Sequence, residues 1–269
     1  MLRLPAVSGR FYPSDPSELA SHVRNFVSHQ SKDARKVVSA CLVPHAGYMY
    51  SGHVAGAVYG GIMLPKKIIV LGVRHSPVGQ PIAILSEGEW RTPLGDATID
   101  SQLGRELRRA CPLLSEDARA HAGEHSLEVQ LPFLQVLAPG FAFVPIALGI
   151  VHFESLVEIG RAVGNVLRSA KEATLLLTTS DLNHYEDDVT TRKKDGMAIE
   201  QLVAMNAQGL FDVCKREDIS MCGLGPAVAM LTALQLLGAK KAEVVKYATS
   251  ADVSGDKDAA VGYVGMVFS

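Results

Sequence analysis

The chain has 269 residues, 48% of them apolar, which is enough to bury a substantial core in one large domain. Its 26 basic and 28 acidic residues leave a formal net charge of −2, and aromatics are only 6%. That balance excludes a nucleic-acid surface, and no stretch has the apolar length of a membrane span or the core of a signal peptide. A cytoplasmic protein is expected, and the irregular spacing of Cys41, Cys111, Cys214 and Cys222 resembles neither a disulfide framework nor a CxxC zinc site.

Taken in chain order, residues 15–30 read as an amphipathic helix with Pro16 in its first turn. Residues 37–43 read as a strand of small and branched residues, and 54–63 as a helix rich in Ala and Gly. Residues 67–73 (Lys-Ile-Ile-Val-Leu-Gly-Val) read as a strand buried on both faces. A short strand is expected at 81–85, a turn-rich loop at 90–95, and helices at 101–111 and 126–137. Further strands are expected at 141–148, 173–179, 242–248 and 261–268, with helices at 155–169, 196–207 and 226–237. Strands alternating with helices imply an α/β domain spanning 1–269, its mixed or largely parallel central sheet covered by helices on both faces.

Four of the nine histidines follow apparent strand ends inside short runs rich in Gly, Pro or Asp. The runs are Pro44-His45-Ala46-Gly47-Tyr48, Gly72-Val73-Arg74-His75-Ser76, Gly123-Glu124-His125-Ser126 and Ser180-Asp181-Leu182-Asn183-His184-Tyr185. Cys222 sits in a similar run ahead of a helix started by Pro226, where a helix N-terminus favours thiolate. Ligands bind at strand-end loops of α/β sheets, and imidazole and thiolate hold transition metals well. Several such residues at corresponding positions point to one site, although a lone buried histidine more often just satisfies a backbone carbonyl. Asp181 beside His184 suits acid–base work, with a loop cap as the plainer alternative. His125 reads as a group that orients a ligand. His22, His29, His53, His121 and His152 lack this context and read as structural or exposed, and Cys41, Cys111 and Cys214 as inert core thiols. There is no phosphate loop and no GxSxG elbow.

These runs, with the opening Arg3-Leu4-Pro5-Ala6-Val7-Ser8-Gly9-Arg10-Phe11-Tyr12-Pro13, Trp90-Arg91-Thr92-Pro93-Leu94-Gly95 and Glu124-His125-Ser126-Leu127-Glu128, resemble the MEMO family. That family is also known as AmmeMemoRadiSam system protein B, and the resemblance covers essentially the whole chain. It implies a fold similar to the class III extradiol dioxygenases, which use non-haem iron. By resemblance, His45 and His75 match the two metal-ligand histidines, and Cys222 matches the cysteine standing where the dioxygenases have a carboxylate. Asp181 and His184 match the pair beside the metal, with His184 resembling the acid–base histidine. In the expected mechanism His184, oriented by Asp181, moves protons, and His125 hydrogen-bonds substrate or bound oxygen. Arg74 is a departure, since the motif often carries a small or amide residue there. Tyr48 and Arg74 are expected to line the ligand pocket.

The expected cofactor is a mononuclear transition metal, iron(II) first, with copper or zinc as alternatives suited to thiolate. The expected role is a redox or oxygenase-type reaction on a substrate the sequence does not identify, the ligand being a small molecule or a peptide. The competing reading is a non-enzymatic binder of peptides or phosphotyrosine-like ligands in the same pocket. A third, a Cys–His hydrolase with Cys222 as nucleophile, leaves the two other strand-end histidines without a task. The sequence does not fix the oligomeric state.

Overall fold

Short apolar runs of branched residues form the central strands, because only a strand covered on both faces buries every side chain in such a run. The computed structural model describes residues 1–27, 35–149 and 152–269. Chain order begins with β1 (Leu2–Arg3), α1 (Pro16–Val27), β2 (Ala40–Val43), α2 (Tyr48–Gly61) and β3 (Lys67–Val73). Next come β4 (Ile82–Ile84), β5 (Glu89–Thr92), β6 (Gly95–Ile99), α3 (Ser101–Ala110) and β7 (Ser115–Glu116). Three short helices, α4 (Ala118–Ala122), α5 (His125–Glu128) and α6 (Leu131–Leu137), lead into β8 (Ala142–Leu148) and α7 (Phe153–Ser169). The remainder is β9 (Thr174–Thr179), β10 (His184–Glu186), α8 (Asp188–Val203), α9 (Ala207–Arg216), α10 (Leu224–Leu237), β11 (Ala242–Thr249), α11 (Ala251–Ser254) and β12 (Ala260–Phe268).

The sheet runs β1-β5-β6-β8-β3-β9-β2-β12-β10. Its centre, β6 through β2, is parallel, while β12 pairs antiparallel with β2, β10 and β11. Successive residues of β2 and β3 face opposite layers. Leu42, Ile69 and Leu71 pack in one core with α7 and α10, whereas Cys41, Val43, Ile68 and Val70 pack in the other with α1, α2 and α6. The expected α/β sheet with helices on both faces is therefore what the chain forms. No helix among the described residues is long and apolar enough to cross a membrane.

Close backbone approach positions two elements. A Cβ on Gly56 would come within 2.6 Å of the Phe26 carbonyl oxygen, so only glycine lets α2 pack this near to α1. A Cβ on Gly223 would lie 2.5 Å from the Thr179 carbonyl oxygen, so glycine there brings the Cys222 turn against the end of β9.

Several expected boundaries move. The 90–95 stretch is not a loop but the β5–β6 hairpin, with Trp90 and Thr92 buried, Glu89 and Arg91 exposed, and Thr92 opposite Gly95. The expected 126–137 helix breaks at Val129–Gln130, with Pro132 near the start of α6 and Gln130 turning its amide to the Pro44 carbonyl. α2 starts at Tyr48 rather than 54, and α8 covers 188–203 rather than 196–207, its start capped by Asp187. α9, from 207 to 216, was not expected. Residues 28–30 of the first expected helix, with His29, lie outside the described residues.

Candidate metal centre

β2, β3 and β9 are adjacent and parallel, so their carboxyl ends share one edge of the sheet. His45, His75 and Asp181 each stand two residues past one of those ends, at Val43, Val73 and Thr179. His125 reaches the same place from α5, which lies against β3. There, a Cβ on Gly72 would meet the Leu127 side chain at 2.6 Å. One donor nitrogen from each of His45, His75 and His125 falls within 4.8 Å of the other two. The His75 and His125 rings stack at 4.5 Å between centroids, and His45 stands edge-on to both.

Two of the three rings, His45 and His75, are aimed by a hydrogen bond on their other side. His45 is 2% exposed, and its Nδ1 meets Thr179 Oγ1 at 2.7 Å. Gln130 donates its amide N–H to that same oxygen at 3.2 Å and to the Pro44 carbonyl at 3.0 Å, joining the ends of β2 and β9. His75 Nδ1 lies 2.9 Å from Glu124 Oε1, and Glu124 Oε2 accepts the His75 backbone N–H at 2.7 Å. Both histidines therefore present Nε2 inward, the arrangement in which a hydrogen bond fixes the tautomer of a metal-binding imidazole. Burial, aided by the other histidines, holds His45 well below the usual imidazole range. Burial likewise brings His125 down to about 4, against the pull of Glu124. Neutral imidazoles are the metal-binding form, so the donor set fits a transition-metal ion.

Two buried carboxylates flank the cluster. Burial opposes ionisation of Glu124, yet His75 and the amides of His75 and Ser126 hold it down at about 2. Asp181 accepts the His45 backbone N–H at 2.8 Å, but burial pushes its carboxyl up to about 7. Behind Glu124 lies a third, Glu128, which accepts bonds from Arg3 (2.7 Å), Tyr12 (2.6 Å) and the backbone N–H groups of Ala6 (2.8 Å) and Val7 (3.1 Å). Arg3 also donates to the carbonyls of His121 and Glu124 and lies 4.0 Å over the Trp90 ring. The N-terminal segment thereby clamps α5, and Phe11 packs on the His125 ring at 4.8 Å.

The remaining expected residues fall as follows. Cys222 is outside the three-histidine group, but its Sγ is 3.1 Å from His45 Nε2 and accepts the Asp181 N–H at 3.3 Å. Without a metal ion the thiolate is not favoured. Burial and the Asp181 charge push the thiol pKa up, outweighing the nearby start of α10, so the S–H can donate to His45 Nε2. His184 is not oriented by Asp181. Its Nδ1–H faces the Ser220 carbonyl at 3.1 Å and its backbone N–H donates to Ser220 Oγ at 2.8 Å, while Asp181 is spent on the His45 loop. Tyr48 does not line a pocket, because α2 begins there and turns the ring into the core, its hydroxyl donating to the Val129 carbonyl at 2.7 Å. Arg74 lines a cavity beside His75 and Cys222, with its guanidinium also tied to the Gly79 carbonyl at 3.0 Å. Cys41, Cys111 and Cys214 are free and buried.

Sequence reasoning assigned no role to Glu124, Glu128, Thr179, Gln130 or Ser220. The available signals were the carboxylate directly before His125 and its i,i+4 partner at Glu128, which share a face on any helical turn.

A mostly parallel α/β sheet with three imidazoles gathered at its strand ends defines a protein whose site could hold a metal ion. The chain belongs to the Memo-like family: the family profile described as "Memo-like protein" matches residues 3–267. A MEMO1 family protein of Aquifex aeolicus is 41% identical over 268 residues, covering 99% of both chains. A MEMO1 family protein of Methanopyrus kandleri is 38% identical over 280 residues, covering all of this chain and 99% of its own. Among solved structures, an uncharacterised protein of Escherichia coli K12 is similar with a TM-score of 0.54 at 12% identity, over 84% of this chain and 99% of that one. That likeness concerns the fold alone.

Proposed function

We propose that the chain is a metal-dependent oxidoreductase of oxygenase type, acting on a small molecule with dioxygen as oxidant. His45, His75 and His125 would hold the metal, iron(II) in our assignment, with Cys222 as the adjoining thiol. The observation that carries this reading is the pair of committed outer nitrogens, His45 on Thr179 and His75 on Glu124, which leave Nε2 of each ring facing the cluster.

A ferrous ion held by these imidazoles would supply Lewis acidity and one-electron redox chemistry. The chain's own residues supply the rest. Glu124 stays ionised and keeps Nδ1 of His75 protonated. His184 has its Nδ1–H engaged by Ser220, and burial lowers its pKa, leaving Nε2 free to take a proton from a substrate hydroxyl. It is near enough for its charge to act on His45. Asp181 fixes the backbone that carries His45.

Protein purified without oxygen should bind one ferrous ion per chain in anaerobic calorimetry, and His125→Ala should lose that binding. A catechol panel should give metal-dependent oxygen uptake that His184→Ala abolishes while metal content stays intact. Zinc or copper bound to the exclusion of ferrous ion, or His125→Ala binding like the parent, would sink the assignment.

A further inference from the structure

Beside the cluster lies a cavity of about 450 Å³ that begins at His75 and Cys222. That volume is within the range of sites for single small molecules, roughly 300–1,000 Å³. Its walls are apolar: Leu148 from β8, Leu156 from α7, Phe211 from α9, and Ile219, Met221 and Leu224 around the Cys222 turn. Three charged side chains line it, Arg74, Lys215 and Asp218.

The two cations are not spent on protein carboxylates. No ion pair among the described residues includes Arg74 or Lys215. Arg74 Nη2 is held by the backbone carbonyls of Pro77 and Gly79, which fixes the guanidinium without neutralising it. Its Nε is buried and has no hydrogen-bond partner, which is costly for a charged group. Lys215 is exposed, with its ammonium 5.8 Å over the Phe211 ring, so an apolar surface and a cation meet on the same wall. Asp218 leaves the lining with a surplus of one positive charge.

We infer that this cavity takes a small organic anion, with an apolar body against Phe211, Leu156 and Ile219 and one anionic head met by Lys215 and Arg74. This rests on the metal-centre reading only for the place of the reacting end, at His75; the anion site itself stands on the cavity's lining. The recognition logic is charge complementarity at an otherwise dry wall, where a charged hydrogen bond is worth roughly twice a neutral one. A neutral isostere would leave the cations unmatched.

The test compares 4-phenylbutyrate with 4-phenylbutanamide by calorimetry, on chelator-treated and on ferrous-loaded protein, with inorganic phosphate as a third probe. The acid should bind at least tenfold tighter than the amide in the chelator-treated protein. Lys215→Gln, a surface substitution that leaves the core untouched, should bring the acid close to the amide, and Asp218→Asn should tighten the acid severalfold. Leu156→Trp should block both by filling the cavity. Equal affinity for acid and amide, phosphate alone binding as well as the acid, or no binding of either overturns the anion site. Ferrous titration of the same preparation reports on the metal reading separately: anion binding without iron binding would break that reading and keep this one.

Discussion

Glu124 and Asp181 are both buried carboxylates touching a histidine of the same cluster, and burial opposes the charge of each, yet they end at opposite extremes. Glu124 is held down at about 2, Asp181 pushed up to about 7. The difference lies in what each faces. Glu124 receives a ring N–H and two backbone amides, His75 and Ser126, in a wall already braced by Arg3. Asp181 receives only backbone amides, those of His45 and Ala46, and has the Cys222 sulfur against its own backbone N–H. Burial sets the cost of a charge, and the number and kind of donors decide whether the charge survives. One wall of the cluster is thus permanently anionic, while the other can lose its charge near neutral pH.

The sharpest way to break this contrast is to remove the brace. Glu128→Ala leaves the Arg3 guanidinium buried and unpaired, along with the Tyr12 hydroxyl and two amides. Unfolding in urea should show a loss of about 3–5 kcal/mol. A loss under about 1 kcal/mol, the usual worth of an exposed pair, would mean that the Glu wall is not a coupled network.

Asp181→Asn isolates the other wall. The folded carboxyl titrates near 7 rather than 3.8, so the native state binds more protons than the unfolded one between those values. In metal-free protein its contribution therefore makes stability fall as pH rises from about 4 to about 7. Asn keeps an acceptor for the His45 amide and removes that slope. Relative to the parent, the variant should gain stability between pH 4.5 and 8, with a ceiling of about 4 kcal/mol from ~1.4 kcal/mol per unit. Glu124 has the opposite sign, its contribution being complete above 4.5 and lost as pH falls toward 2. Parallel changes in slope for Asp181→Asn and Glu124→Gln would refute the contrast.

The smallest effect expected is on metal affinity. Glu124→Gln replaces an acceptor of three N–H groups with an amide that turns a donor toward one of them. Ferrous affinity should drop about 10–100-fold, as for other partners of metal-binding histidines. Asp181→Asn should change it far less, and the reverse order would show that His45, not His75, is the ring whose aim matters.

The sheet half of the site was legible in the sequence because β2, β3 and β9 are apolar runs, and residues just past such runs must gather at one sheet edge. His45, His75 and Asp181 could be placed together on that basis alone. His125 was harder to place, since a four-residue helix has no periodicity to read and its position depends on Gly72 and Arg3, far away in sequence. The metal-free protonation of Cys222 is hidden from the sequence for a related reason. A helix start is a local feature that sequence shows, whereas burial beside Asp181 is made by a segment forty-one residues away. Tyr48 looked like a loop residue only because the glycines around it hid the start of α2.

β12 inserts between β2 and β10, although it is formed by residues 260–268. It supplies the partner for the strand that carries His45, and Gly262 exchanges backbone bonds with Leu182 and Asn183 in the loop that carries Asp181 and His184. On the ribosome, residues 40–45 and 181–184 emerge long before that partner exists, so the donor atoms wait in an unfinished sheet. The backbone pairing that braces the loops of His45, Asp181 and His184 is thus completed only by β12, which is made after every other part of the site.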